Sequence, residues 1–148
     1  MPIPTFWDQP ASAHAVSQFQ SRPLSWLWPG RLAPGKLAGD PELGKSLLTL
    51  DLCARLSTGR SWPDGQAGPE PAASLILNGE DNAGDTIRPR LQALGADLDR
   101  IFLLPPRGQD LRPPLLLPGH TTTLADALRQ TQARLLVIDP ITAFLNQP

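Results

Sequence analysis

The amino-acid sequence predicts an α/β domain, a mostly parallel sheet with helical crossovers, and three observations predict it. Short apolar runs bounded by turn residues, at 74–78, 101–104 and 135–139, read as buried strands. Helix-like segments alternate with them, as crossovers between parallel strands require. Ahead of the first run, a glycine-bracketed loop at 39–46 opens directly into a helix.

Residues 1–34 are polar and punctuated by Pro2, Pro4, Pro10, Pro23, Pro29 and Pro34. They carry no sustained period, so residues 1–30 read as an irregular, proline-rich arm and 31–148 as the body of the domain. Trp26-Leu27-Trp28 would anchor the arm by burying indole surface. From Lys45 to Thr58 the leucines at 48, 52 and 56 recur four apart, with Leu47, Leu50 and Ala54 alongside. That pattern predicts a helix with a broad buried face, stopped at Gly59. SWPDGQAGPEP is a loop, and SLILN (74–78) the first of the three strands. A helix over about 85–94 follows, with Asp85 or Thr86 as N-cap and Gly95 at its end. Pro89 is tolerated there only within the first turn. After the strand IFLL (101–104), five prolines between residues 105 and 120 predict a loop. Thr123 and Asp126 resemble a capping box opening a helix to about Ala133. LLVID (135–139) is the third strand.

Composition narrows the class. Thirteen basic and fourteen acidic residues leave a net charge of −1, so no overall field draws nucleic acid or an anionic membrane. A local basic patch remains compatible with that balance. Cys53 is the one cysteine, which rules out an internal disulfide and fits a reducing compartment. The opening MPIPTFWDQP lacks a basic segment followed by an apolar one, and no apolar run is long enough for a membrane span. The expectation is a cytoplasmic protein without membrane contact.

The chemistry-bearing segment is Gly39-Asp40-Pro41-Glu42-Leu43-Gly44-Lys45-Ser46, which fits G-x-x-x-x-G-K-[ST] at every fixed position. Backbone N–H groups of such a loop, with the helix N-terminus behind it, form a cradle for phosphate oxygens. Lys45 would reach the β- and γ-phosphates of a nucleotide such as ATP, and the Ser46 hydroxyl would ligate Mg2+. The chain has only two lysines against eleven arginines, so a lysine at this position stands out. Two features depart from the usual pattern. Only Lys36-Leu37-Ala38 stand between Gly35 and Gly39, a short strand from which to hang the loop. Glu42 also puts a carboxylate beside the phosphates, a repulsion of about 1 kcal/mol in water and about 4 at an effective dielectric near 20.

Two acids complete the set. Asp139 ends the third apolar run, where an aspartate would hold Mg2+ together with Ser46. Glu80 follows the first strand and would lie on the rim where open α/β sheets bind ligands, placed to orient and deprotonate an attacking water. Asp81 is the rival base. Arg88 and Arg90, on the next helix, read as solvated side chains, with packing on adenine or contact with phosphate as the alternative. His14 and His120 have no partner ligands, and no metal-binding spacing is present.

Together these residues resemble the bacterial AAA family ATPases related to RecA and to the hexameric replicative helicase RepA. The resemblance rests on WLWPGR (26–31), GDPELGKSLLTLDLCARLSTGRSWPDG (39–65), GEDNAGDTIRPRLQALGADLDR (79–100) and RLLVIDPITAFL (134–145), in that order. It implies a three-layer RecA-like P-loop NTPase fold and hydrolysis of ATP with Mg2+. Lys45 and Ser46 match the Walker A pair, Glu80 the catalytic glutamate and Asp139 the Walker B aspartate. Arg90 matches an arginine found on that helix in the family. The resemblance further implies a homo-oligomeric, hexameric ring acting on single-stranded DNA. Family members have a longer strand before the loop, carry glycine where Glu42 stands, and continue beyond the Walker B strand. The expectation is therefore the N-terminal part of such a domain, truncated after that strand. A degenerate, non-catalytic remnant is the alternative that Glu42 and the short first strand suggest. A small-metabolite P-loop kinase is a third, less suited to a glutamate placed for water activation.

Overall fold

In the computed structural model, residues 20, 26–32, 43–104 and 115–145 are described. The chain divides into two compact units, residues 1–35 and 36–148. In the first, Pro29 and Gly30 turn the chain so that Trp28 and Leu32 pair as an antiparallel bridge, with Gly30 at φ 69°. Trp26 is 45% exposed and Trp28 is half-buried, so the expected burial of indole surface is partial. The short run Lys36–Ala38 lies outside the described residues.

The second unit is built on three parallel strands. Helix α1 (Lys45–Thr58) precedes strand β1 (Ser74–Asn78), and helix α2 (Arg88–Ala93) leads to strand β2 (Ile101–Leu104). Helix α3 (Thr121–Thr131) then leads to strand β3 (Leu135–Asp139). The sheet order is β2-β1-β3, with β1 in the middle. Ser74 pairs with both Ile101 and Leu135, and Asn78 with Asp139. All three strands therefore end on the same rim. Apolar clusters cover both faces and make the sheet the middle layer. Leu50 and Cys53 of α1 and Leu91 of α2 pack with Ile76, Ile87 and Val137 on one face. Leu77 packs with Leu115 and Phe144 in a second cluster. The alternation follows from the strand period of two, which sends Ile76 and Leu77 to opposite sides. This is the α/β architecture that the alternating pattern predicts, and it agrees with the RecA-like P-loop fold that the resemblance implies.

Helix α1 has the predicted limits, because the leucine repeat buries Leu52 and Leu56 and Gly59 closes the helix at φ 71°. The exposed members of the run are Leu47 and Leu48, at 51% and 42%. Its far end is tied in by Ser57, whose hydroxyl donates to Ala54 O and accepts from Asp97 N at 3.0 Å. Trp62, in the loop after the helix, is 3% exposed and belongs to the core.

Two helix starts differ from expectation. The segment expected as one helix from residue 85 begins instead with a π-helical turn, Ala83–Ile87, which runs into α2. Its cap is Asn82, not Asp85 or Thr86: the Asn82 side chain accepts from Gly84 N and Asp85 N. The wider turn answers the problem posed by Pro89, whose ring would collide with the carbonyl four residues back in a continued α-helix. The capping box at Thr123 also does not form. Helix α3 starts three residues earlier, with His120 at the N-cap and no side-chain cap hydrogen bond among the described residues. There Leu116 N donates to His120 Nδ1 at 2.8 Å, so the turn before the helix supplies the order that a capping box would have.

Cys53 is fully buried beside Ser74, and burial pushes its thiol from the ordinary 9.0 up to about 11. The neighbouring Ser74 hydroxyl acts in the opposite direction, as the smaller effect. Among the described residues Ser74 Oγ otherwise has no hydrogen-bond partner. In the folded chain at pH 8, Cys53 should resist a soluble disulfide reagent and react only on denaturation; rapid labelling of the native chain would contradict its burial. The folded state keeps this proton to higher pH than the unfolded state does. Stability should accordingly fall as pH rises from 9.0 towards about 11, and a Cys53→Ala variant should lose that part of the decline.

Candidate nucleotide site

The rim formed by the strand ends and the start of α1 encloses a cleft of ≈ 630 Å³, lined by Gly44, Lys45, Ser46, Leu47, Glu80, Arg90, Asp139 and Pro140. That volume falls within the roughly 300–1,000 Å³ usual for small-molecule sites. Three local devices assemble it.

The first is the open end of α1. Gly44 stands at the N-cap in a left-handed conformation, φ 77°, where a side chain would be strained. Among the described residues no side chain caps the helix, and its first turn holds no acidic residue. The N–H groups and the positive end of a fourteen-residue helix are thus directed to the cleft, opposite the carboxylates of Glu80 and Asp139. Lys45 and Ser46 add a cation and a hydroxyl at the same place.

The second is the turn after β1. Gly79 N donates to Asp139 O at 3.0 Å, extending the β1–β3 ladder past the strand ends. Asn78 Oδ1 accepts from Glu80 N at 3.3 Å and Asp81 N at 3.2 Å, and Asn78 Nδ2 donates to Asp81 O. One side chain therefore holds the backbone of the turn that carries Glu80. Gly79 is required by close approach, since a Cβ there would stand 2.4 Å from Ala143 Cβ and 3.3 Å from the Phe144 ring. Phe144 is itself buried in the core, so the turn after β3 has little room to retreat.

The third is α2, which brings Arg90 to the cleft wall, where its Nη1 donates to Asp81 Oδ2 at 3.4 Å. Arg88 is exposed and does not line the cleft. Below the cleft lies a pocket of ≈ 10 Å³, about the space of one water, between Ser46, Thr49, Asn78, Asp81 and Asp139. Ser46 and Asp139 line both spaces; Asp81 borders the small one and Glu80 the large one.

Of the residues singled out in the sequence, Gly44, Lys45, Ser46, Glu80 and Asp139 are brought together. Leu43 is 70% exposed and does not line the cleft, while Gly39, Asp40, Pro41 and Glu42 lie outside the described residues. The sequence reading missed Asn78 and Gly79. An Asn-Gly pair at a strand end is a turn signal that could have drawn attention to them. Arg90, read mainly as solvated, is a wall residue.

The residues suit a magnesium–nucleotide complex. Mg2+ retains several waters and takes one or two protein oxygens plus phosphate oxygens. Ser46 and Asp139 could supply those oxygens, and among the described residues no group of three or more His, Cys, Asp or Glu competes as a metal cage. No helix among them is long and apolar enough to cross a membrane.

A parallel sheet whose strand ends face a Gly-Lys-Ser helix start defines the P-loop NTPase class. A family model described as an AAA domain matches residues 8–147, and the chain belongs to that family of P-loop ATPases. Comparison with curated proteins and with solved structures gives no significant match.

Gly79→Ala should destabilise the chain by about 1–3 kcal/mol in denaturant unfolding, because the new methyl group overlaps Ala143. Unchanged stability would mean that the turn after β3 does not press on Gly79.

Proposed function

We propose that this domain binds ATP with Mg2+ and hydrolyses it, serving a ring-shaped, helicase-type assembly that works on single-stranded DNA. The observation that carries the ATPase reading is the common cleft of Lys45, Ser46, Glu80 and Asp139. The DNA-directed part rests on the resemblance of the four sequence segments to the RepA- and RecA-related ATPases.

In this reading the start of α1 and Lys45 receive the β- and γ-phosphates. Charge that develops on the γ-phosphoryl oxygens during transfer is met by groups already oriented, which is where most of the rate enhancement in phosphoryl transfer arises. Ser46 and Asp139 would hold the metal, which when bound would neutralise phosphate charge. Glu80 orients the attacking water and accepts its proton. Asp81 is less suited to that role because its carboxylate is paired with Arg90 and borders the small pocket. The turn clamp of Asn78 supports Glu80 by limiting how far its backbone can drift, which matters because misplacement by about 1 Å can cost roughly 100-fold in rate.

Glu42 bears on the strength of binding. If the loop holds its carboxylate near the phosphates, Glu42→Gly should tighten ATP binding at least tenfold, a gain of about 1.4 kcal/mol. An unchanged dissociation constant would show that Glu42 points elsewhere. A degenerate remnant is the competing reading, and it predicts no hydrolysis even in Glu42→Gly.

Two substitutions test the catalytic assignment. Lys45→Ala should abolish both binding and turnover. Glu80→Gln should bind ATP with near wild-type affinity while losing at least about 100-fold in hydrolysis, the usual scale for a positioned base. Equal turnover in wild type and Lys45→Ala would sink the assignment. Stimulation by single-stranded DNA separates the helicase-type reading from a metabolite kinase.

A further inference from the structure

Arg90 and Asp81 form an ion pair at the cleft wall that neither metal binding nor water activation uses. Among the described residues Asp81 is the hydrogen-bond partner of Arg90, through Nη1 alone and at 3.4 Å. A guanidinium has five N–H donors in a fixed fork, so one long contact leaves most of its capacity unspent. The two ends of the pair are held differently. Asp81 is fixed through its backbone by Asn78, at both its N–H and its carbonyl. Arg90 reaches the wall at the end of a long side chain that is 45% exposed. The carboxylate is the anchored partner and the guanidinium the one being held.

We propose that Asp81 is a positioning residue for nucleotide binding: it holds Arg90 against the cleft so that the remaining N–H donors meet the nucleotide's phosphates. The proposal rests on the ATP-binding reading above. It makes Arg90 a second cationic contact beside Lys45, and Asp81 a residue that acts only through Arg90. An exposed pair of this length is weak, so the effect is modest orientation and not a large gain in binding.

Equilibrium titration of the full chain with a fluorescent ATP analogue, with and without Mg2+, tests it. Asp81→Asn should weaken binding about three- to fivefold, and Asp81→Glu should restore it. Arg90→Gln should weaken binding more, and adding Asp81→Asn to Arg90→Gln should change nothing further. Affinity for adenosine, which lacks phosphates, should be the same in wild type and all four variants. Tighter binding in Asp81→Asn would overturn the proposal, as the carboxylate would then repel the nucleotide or withhold Arg90 from it. An equal loss in both backgrounds would also overturn it. Circular dichroism checks the fold, and Asp81→Ser carries the same comparison if Asp81→Asn does not fold. Lys45→Ala run alongside keeps the two readings apart. If Lys45→Ala binds as wild type does, the ATP site itself is wrong; if it is impaired while Asp81→Asn is not, only the role of Asp81 falls.

Discussion

The alignment of β1 with β3 is the constraint on which the rest of the site depends. Parallel pairing places Asn78 beside Asp139, and the Gly79 N–H bond to Asp139 O carries the ladder one step beyond the strands. The residue after Gly79 is Glu80, so both acids emerge on one rim beside the start of α1. A slip of one residue in β3 would break this and also exchange the faces of the strand. Val137 would leave the cluster with Leu50 and Ile87, and the half-buried Ile138 would take its place. The core thus enforces the geometry of the polar rim, since each wrong register sends apolar side chains to the wrong layer.

Charge at the rim is balanced by placement more than by number. Lys45, Arg90 and the start of α1 provide positive potential, against Glu80 and Asp139 in the cleft and Asp81 beside it. These acids would oppose a bare triphosphate, but they suit one that arrives with a divalent cation. The division between the two carboxylates after β1 is also physical. Neighbours in sequence leave a turn in different directions, so Glu80 borders the large space and Asp81 the small one. Asp81 meets Arg90.

What was legible in the sequence follows from the range of the forces involved. Helix α1 could be read to its ends because a leucine repeat and a terminal glycine are local signals. The three strands were legible for the same reason, as apolar runs between breakers. Asp139 and Glu80 could be placed on a common rim once the strands were taken as parallel. The start of α2 was not legible: the conflict at Pro89 was visible, but its resolution by a π-helical turn capped by Asn82 depends on backbone geometry that composition does not encode. The capping box at Thr123 failed because the turn at Leu116–His120 had already set the helix start. Asn78, Gly79 and Arg90 act through contacts with residues distant in the chain or across a turn. A single sequence carries only faint marks of such contacts.

The central claim is spatial: four side chains around one γ-phosphate. A crystal structure of the chain with Mg2+ and a non-hydrolysable ATP analogue measures it directly. The account predicts the γ-phosphate within hydrogen-bonding reach of Lys45 Nζ, the metal on Ser46 Oγ and on the Asp139 side either directly or through water, and the Glu80 carboxylate facing the γ-phosphorus across a water. A nucleotide bound away from the α1 start, or a Glu80 carboxylate turned out of the cleft with the analogue in place, would contradict it.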